Sequence, residues 1–467
     1  MSTSSNSMSL ADSPRKTGPY RFPRSLKHNL IWFALRKFRP GDPIGLFQYL
    51  SDEYGDIAHY KIGPHHLIFL NDADFIREVL VVQNDNFVKE RTVQRTKLLL
   101  GEGMITSEGS HHRVQRQAAQ PAFHRQRLSS YADRMVAEAT NLCSSWQHNQ
   151  QLDISSEMMR LTLRVVSKTL FSADLGDKVH ELTAAINDIM GLYHPLILLP
   201  AVELLIHLRA PGIAGFAKAK KKLDSVVYSM IDAHRQQEDG SEDLLDMMIR
   251  AEESSSAEPG PNATHNESLR DQVITIFLAG YETVANALTW TWYLLSQNPE
   301  AEQKMRDELD CVLGGRTPAF EDVPKLRYVE ATFAESMRLY PPAWAMGRRA
   351  LTDFTLGQYR LPAGTTVLIS QYITHRDPRH FSDPLCFKPE RFFAGGRASF
   401  PKFSYFPFGA GARQCIGEAF AWMEGVLLLA TIAQKWRLHL VPAQRVEPQP
   451  LITLRPKYGM RMQLEKR

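Results

Sequence analysis

The sequence predicts a mainly α-helical fold with a smaller β-rich part, and three features of the chain indicate it. Apolar residues recur at helical spacing through most of residues 110–250. A segment of about 30 residues that ends at Asn298-Pro299 is apolar on most faces, which predicts a buried helix about 45 Å long. Strand-like segments lie in two distant parts of the chain, at 57–70 and at 354–370.

Local signals predict the other elements in chain order. Residues 44–55 have the apolar spacing of a short helix that precedes the first strands. Residues 252–268 are rich in serine, glutamate, asparagine and proline, which predicts a linker before the long helix. After that helix, two further helices are predicted at 300–313 and 327–339.

The composition is that of an ordinary globular protein. At 467 residues, with 43% apolar and 23% charged residues, the chain can bury a large core. A net charge of +4 is too small to indicate nucleic-acid binding. The four cysteines are scattered without CxxC spacing, which suits a reducing compartment and indicates neither a disulfide framework nor a zinc site.

The sequence contains no segment that predicts secretion or membrane anchoring. Residues 1–20 are polar, are expected to be a disordered tail, and lack the apolar core of a signal peptide. Residues 192–208 are the most apolar of the remaining segments, but two prolines and a glutamate interrupt them, so they are too short to span a bilayer. We therefore expect a cytoplasmic protein in which residues 21–467 form a single domain.

The segment FPFGAGARQCIGEAF, residues 406–420, surrounds one cysteine with glycines. Gly409, Gly411 and Gly417 allow backbone conformations around Cys415 that other residues rarely adopt. A helical pattern follows, so the cysteine precedes a helix N-terminus, where the dipole and free N–H groups stabilise a thiolate. The alternatives are a buried free thiol or a phosphate-binding loop, whose GxGxxG and GxxxxGK[ST] spacings are not matched.

The segment FGAGARQCIG, 408–417, resembles the haem-binding signature of the cytochrome P-450 family, Phe-x-x-Gly-x-Arg-x-Cys-x-Gly, at every fixed position. The resemblance implies haem b (iron protoporphyrin IX) in a mainly α P-450 fold, with the long central helix over the haem. It implies that Cys415 is the axial thiolate ligand of the iron, that Phe408 packs beside it, and that Arg413 reaches a haem propionate. Thiolate ligation favours O–O cleavage, and a guanidinium suits a carboxylate.

A glutamate and an arginine three residues apart occur three times in the chain, at Glu157/Arg160, Glu267/Arg270 and Glu335/Arg338. Such pairs usually lie on the surface and contribute a few tenths of a kcal/mol, roughly. Only the third, in ESMR, is followed by LYPP, PERF and the cysteine loop in the family's order. The resemblance implies that Glu335, Arg338 and Arg391 form a buried charge triad, and we expect the other two to be solvated or local pairs.

The segment AGYET, 279–283, lies in the middle of the long helix. Ala279, Gly280 and Thr283 share one helix face. A mid-helix glycine costs about 1 kcal/mol relative to alanine, which indicates either room for a flat cofactor and a diatomic ligand or close helix packing. The segment resembles the family's Ala/Gly-Gly-x-Asp/Glu-Thr pattern, which implies that Gly280, Glu282 and Thr283 are catalytic. Thr283 would hydrogen-bond dioxygen, and Glu282 would help to relay protons.

Basic residues elsewhere match family positions that contact the haem propionates. The family usually has Trp-x-x-x-Arg where this chain has His112 and Arg116. Arg348 matches another such position, although Arg349 adjoins it. Adjacent histidines at 111 and 112 diverge on a helix, so a separate metal site is not expected.

The resemblance, which extends from about residue 20 to the C-terminus, also implies an apolar substrate pocket. Each lining residue has core packing as its alternative role, but together they predict a hydrophobic small-molecule substrate. The implied lining residues are Leu99, Leu100, Met104, Ile105, Ile276, Ala279, Ala343, Trp344 and Met346.

The sequence shows no fused flavin or iron–sulfur domain, so electrons are expected from a separate protein. Lys402, Arg413, Arg113 and Arg125 lie in segments expected on the proximal face, where they would attract an acidic ferredoxin or flavodoxin. A reductase would supply that partner with electrons from NAD(P)H. A monomer is expected.

Taken with the resemblance, the sequence predicts a haem-thiolate monooxygenase that uses O2. Within the family it looks most like soluble bacterial members that oxidise long apolar molecules, so we expect hydroxylation or epoxidation of a fatty acid, terpenoid or carotenoid. Two alternatives are a peroxide-using peroxygenase and a non-catalytic protein that binds haem or a hydrophobic ligand.

Overall fold

The computed structural model describes residues 19–26, 42–173, 186, 189, 213–236, 243–254, 265–393 and 396–467. Residues 1–18 of the predicted tail, the apolar segment 192–208 and the middle of the predicted linker lie outside the described residues.

The α-helices are α1 Pro43–Tyr54, α2 Ala73–Arg77, α3 Arg91–Arg95, α4 Lys97–Leu100, α5 Gly109–Ala119, α6 Arg125–Ser145, α7 Ile154–Leu170, α8 Ile213–Arg235, α9 Leu244–Ser254, α10 His265–Gln297, α11 Pro299–Leu313, α12 Arg327–Leu339, α13 Gln371–Thr374 and α14 Glu418–Ala433. The strands are β1 Ile57–Ile62, β2 His65–Leu70, β3 Phe87–Lys89, β4 Gln151–Asp153, β5 Met346–Ala350, β6 Phe354–Leu356, β7 Tyr359–Leu361, β8 Thr366–Ile369, β9 Trp436–Leu440, β10 Pro448–Pro450, β11 Leu454–Pro456 and β12 Arg461–Lys466.

Helix α10 lies at the centre of the molecule, as its apolar sequence predicts. It has 33 residues, and the indoles of Trp290 and Trp292 near its C-terminal end are almost completely buried. Its most extensive packing is against α7. The predicted linker is shorter than 252–268, because α9 continues to Ser254 and α10 already begins at His265. No helix among the described residues is long and apolar enough to cross a membrane.

The β-rich part combines segments from distant parts of the chain. The largest sheet has the order β1-β2-β8-β5-β3. Strand β2 runs parallel to β8, with Leu67 opposite Thr366, while the other neighbours are antiparallel. The mainly α fold with a smaller β-rich part is therefore confirmed.

Helix α14 follows the cysteine loop and is buried along nearly its whole length. It packs against α6, α10 and α12. Gly425 permits the close approach to α12, because a Cβ at this position would lie 2.3 Å from Cε1 of Phe333. The position of α14, and with it that of the loop before it, therefore depends on a glycine in a helix interior.

We expect Gly425→Ala to destabilise the protein by about 1–3 kcal/mol, because the added methyl group overlaps a buried ring. The gain in helix propensity, about 1 kcal/mol, is too small to compensate fully. Thermal unfolding of the purified protein measures the change. In a Phe333→Leu background the same substitution should cost less, and equal costs in both backgrounds would contradict the steric explanation.

Candidate active site

A cavity of about 430 Å³ lies between the long helix α10 and the cysteine loop. Ile276, Ala279 and Thr283 line it from α10, and Phe408 and Cys415 line it from the loop. The cavity therefore joins two segments that the sequence analysis singled out separately.

Positive backbone φ angles shape the loop before the cysteine. Gly409 and Gly411 both have φ of 70°, and a Cβ at Gly411 would lie 2.1 Å from the carbonyl oxygen of Leu80. The amide of Cys415 donates to the carbonyl of Phe408 at 3.0 Å and closes the turn. The expectation of a special backbone conformation is wrong for Gly417, the N-cap residue of α14, whose φ of −87° is one that any residue can adopt.

The Cys415 thiol faces the cavity just before the N-terminus of α14. Burial raises its pKa to about 11, while the backbone N–H of Gly417 acts in the opposite direction. The helix N-terminus alone therefore does not ionise this thiol. A bound metal cation would, because coordination deprotonates a thiol outright.

One end of the cavity carries an excess of positive charge. Arg116, Arg348 and Arg413 line it, and no acidic side chain does so among the described lining residues. Burial lowers the pKa of Arg348, with a further contribution from Arg413, to about 10, so it remains a cation at neutral pH. Arg413 donates to the carbonyl of Ser107 at 3.0 Å and also pairs with Glu108 behind the cavity wall.

His112 lines the same end of the cavity and is buried. Burial, aided by the charges of Arg413 and Lys89, lowers the pKa of His112 to about 3. The imidazole is therefore neutral, and it can donate or accept a hydrogen bond without adding charge. His111 turns away and contacts the Gln115 side chain at 2.9 Å.

The sequence analysis missed several of the residues that line the cavity, among them Lys89 and Gln371. Lys89 is buried, and burial lowers its pKa to about 7; its ammonium group donates to the carbonyls of Met104 and Ser107. The alternation of β3 could have found it, because Lys89 shares the buried face of Phe87. Gln371 is also buried, and neither polar atom of its side-chain amide has a hydrogen-bond partner within the part of the chain that the structure describes. No sequence signal distinguishes Gln371.

The residues of the AGYET segment do not all face the cavity. Ala279, Gly280 and Thr283 line it, and the Thr283 hydroxyl donates to the Ala279 carbonyl at 2.7 Å. Glu282 does not line it, because its carboxylate accepts a hydrogen bond from Thr453. The predicted relay acid is thus turned away from the threonine in this conformation.

Helix packing explains the mid-helix glycine. A Cβ at Gly280 would lie 3.0 Å from Cγ2 of Val166 on α7, so the missing side chain faces a neighbouring helix. Of the two explanations that the sequence allowed, close packing is the one that the structure supports. The Gly280 backbone still contributes to the cavity wall.

The predicted substrate wall is partly wrong. Leu99 and Leu100 do not line the cavity, because they pack into the main helical core. Trp344 does not line it either: its ring lies against Phe47 and its indole N–H donates to the Leu451 carbonyl at 2.8 Å. The predicted residues that do line it are Met104, Ile105, Ile276, Ala279, Ala343 and Met346.

A buried ion network lies behind the cysteine loop. Glu335 accepts from Nε of Arg338 at 2.7 Å and from Nε of Arg391 at 3.2 Å. Arg338 is completely buried and also donates to the carbonyls of His375, Pro384 and Cys386. The network therefore ties α12 to the segment that leads into the loop.

The other two Glu/Arg pairs lie in different environments. Glu157 does pair with Arg160 on α7. Arg270 is not solvated, contrary to expectation: it is buried, donates to Asp224 of α8 at 2.8 Å, and pairs with Asp271 at 2.7 Å. Equal spacing in the sequence thus led to different environments.

Comparison with known proteins identifies the family. The family model for cytochrome P450 matches residues 22–462. The chain belongs to the cytochrome P450 family. It is 36% identical over 404 residues to cyclooctatin synthase of Streptomyces melanosporofaciens, covering 86% of this chain and 87% of that protein. It is 31% identical over 440 residues to pentalenene oxygenase of Streptomyces avermitilis, covering 93% and 94%.

A solved structure shows the same fold. The crystal structure of a cytochrome P450, CYP102L1, superposes with a TM-score of 0.80 at 26% identity, covering 92% of this chain and 99% of the other. The chain is accordingly a cytochrome P450 monooxygenase, and the family holds haem through a cysteine thiolate.

The residues around the cavity fit that group. The cavity contains one thiol, a cluster of arginines that can bind the two carboxylates of haem, and the side-chain amide of Gln371, which has no hydrogen-bond partner among the described residues. Apolar side chains surround the rest of the space, as a porphyrin ring requires. Haem would supply the iron centre at which O2 is activated.

Proposed function

We propose that this P450 monooxygenase hydroxylates or epoxidises a hydrophobic terpenoid. The proposal rests on the observation that the half of the cavity next to α10 is lined mainly by apolar side chains. Met104, Ile276 and Ala279 line it, and Thr283 supplies a hydroxyl there. A pocket of this kind favours a compact hydrocarbon skeleton held by shape with few polar contacts. The names of the Streptomyces relatives, cyclooctatin synthase and pentalenene oxygenase, favour terpenoids over fatty acids.

In this proposal the cysteine loop and the cationic end together hold the haem. Cys415 would be the thiolate ligand, and Phe408, which lines the cavity beside it, would pack against the haem. Gly409 and Gly411 give the loop its shape through their positive φ angles, and Gly409 and Gly417 line the cavity beside the cysteine. The cationic end, formed by Arg116, Arg348 and Arg413 with His112 and Lys89, would hold the haem propionates.

The chain's own catalytic groups lie on α10. The Thr283 hydroxyl donates to the Ala279 carbonyl in this structure and must turn from it to donate to dioxygen. Glu282 is the acid from which protons are supplied. Bound substrate excludes water from the apolar half of the cavity, which prevents the protons from being consumed without product formation.

Electrons come from a separate acidic ferredoxin or flavodoxin, whose reductase uses NAD(P)H. Arg113, Arg125 and Lys402 are exposed and would attract such a partner. Arg413, which was expected on that face, lies in the cavity wall instead. We also propose that residues 21–467 act as one catalytic domain.

The proposal is tested by ligand titration of the ferric protein. We expect cyclic terpenoids to shift the Soret band from the low-spin to the high-spin position at lower concentration than fatty acids or carotenoids. Turnover should require NAD(P)H, ferredoxin and reductase. Turnover with peroxide alone would instead indicate a peroxygenase, and tighter binding of fatty acids would contradict the substrate class.

Ala279→Leu should weaken terpenoid binding by at least about tenfold, because the added atoms occupy the apolar half of the cavity. The same spectral titration measures it. Leu99→Met is the matched control, since Leu99 lies outside the cavity. Equal affinities in the two variants would show that the substrate binds elsewhere.

A further inference from the structure

The carboxylate of Glu282 is held by two residues that the catalytic motif does not include. The Thr453 hydroxyl donates to Oε1 of Glu282 at 2.5 Å, and Nδ2 of Asn286 donates to the Thr453 hydroxyl at 3.0 Å. All three side chains are at most 6% exposed. They form a directed chain of hydrogen bonds along the side of α10.

This chain of hydrogen bonds fixes the direction in which the Thr453 hydroxyl points. The Thr453 oxygen receives a proton from the Asn286 amide, so its own O–H is left to point at Glu282. Asn286 lies four residues after Glu282 on α10, and the two side chains therefore stand one above the other. The carboxyl group is thus held in this position by the Thr453 hydroxyl, whose oxygen is itself held by the Asn286 amide.

Thr453 is itself on a firmly held segment. It precedes β11 in the β10–β11 hairpin, where the amide of Leu454 donates to the Pro342 carbonyl at 2.9 Å. The indole N–H of Trp290, which lies further along α10, donates to the Leu454 carbonyl at 3.0 Å. The hairpin is therefore tied both to α10 and to the segment that lines the cavity at Pro342.

The pKa of Glu282 agrees with the role of an acid that stores a proton. Burial raises the pKa of Glu282, while the hydrogen bond from Thr453 and the charge of Arg455 act in the opposite direction. The burial effect is the larger, so the carboxyl group holds its proton to higher pH than an exposed glutamate does. An acid turned away from the cavity cannot lose that proton to the reaction site prematurely.

We propose that Thr453 is a positioning residue that, together with Asn286, holds the relay acid Glu282 away from the cavity until protons are required. This rests on the proposed relay role of Glu282 and extends it to the β10–β11 hairpin. A change of the Glu282 side-chain rotamer then brings its proton to the Thr283 face of α10. Thr453 controls how often that change occurs.

Thr453→Val keeps the side-chain shape and removes the donor. In crystal structures of the haem-loaded protein, we expect the Glu282 carboxyl to leave its present position in this variant. Product formed per NAD(P)H should fall by about tenfold, a loss of the size of one hydrogen bond to a carboxyl group. Thr453→Ser, which retains the hydroxyl, should restore both properties.

The matched control is Thr291→Val, since Thr291 is a buried threonine of the same helix whose hydroxyl donates to the Ala287 carbonyl at 2.7 Å. It should change neither property. The proposal is overturned if Glu282 keeps its position in Thr453→Val, or if Thr453→Ser behaves like Thr453→Val. The relay role of Glu282 is tested separately by Glu282→Gln. If Glu282 is not the relay acid, this variant leaves product per NAD(P)H unchanged. The crystal structures of the Thr453 variants would still show whether Thr453 holds the Glu282 carboxyl in place.

Discussion

Cys415→Ser is expected to lower monooxygenase turnover at least about a thousandfold, which corresponds to about 4 kcal/mol of transition-state stabilisation. Cys415 supplies the sulfur at the wall of the cavity, and a serine hydroxyl is a much weaker ligand and electron donor than a thiolate. The reduced, carbon-monoxide-treated protein should also lose the red-shifted Soret band of thiolate-ligated haem. Absorption spectroscopy and a reconstituted assay measure the two effects.

Cys311→Ser is the control for this substitution, because Cys311 is exposed on α11, away from the cavity. It should leave both the spectrum and the turnover unchanged. If Cys415→Ser kept the thiolate spectrum, the ligand would be another residue, and the proposed orientation of haem in the cavity would be wrong.

Arg338→Met is expected to destabilise the protein by about 3–5 kcal/mol, the usual cost of removing one member of a buried ion pair. Glu335 would remain completely buried with Arg391 as its remaining ionic partner. The carbonyls of His375, Pro384 and Cys386 would also lose a donor. Thermal unfolding and haem retention on a desalting column measure the loss.

An exposed pair provides the comparison. Arg24 and Glu53 are 3.3 Å apart, but their side chains are 63% and 48% exposed. Arg24→Met should cost less than about 1 kcal/mol, because solvent screens such pairs. If Arg338→Met were no more destabilising than Arg24→Met, the buried triad would not hold the proximal segment in place.

Motifs with a local physical cause gave the most reliable predictions. Helix α10 was predicted because its apolar residues occupy most faces, and a helix of that kind can only be buried. The positive φ angles at Gly409 and Gly411 follow from glycine itself. In both cases the residues concerned are neighbours in the sequence, so no information about distant segments is required.

Predictions of side-chain direction were less reliable. Leu99, Leu100 and Trp344 are apolar residues in the expected segments, but each points into packing rather than the cavity. Arg270 was expected in a solvated or local pair with Glu267 and is buried against Asp224. Apolar or charged character shows that a residue needs partners, but it does not show where those partners lie.

The amino-acid sequence by itself determined the fold class, the family, and the segments from which the active site is built, because glycine positions, helical spacing and the haem signature are properties of consecutive residues. Only the tertiary structure decided which side chains of those segments meet. Gly280 faces Val166, Glu282 faces Thr453, and Lys89 joins the arginines of the cavity. Each of these contacts joins elements far apart in the chain, and their geometry is set by the packing of the whole core.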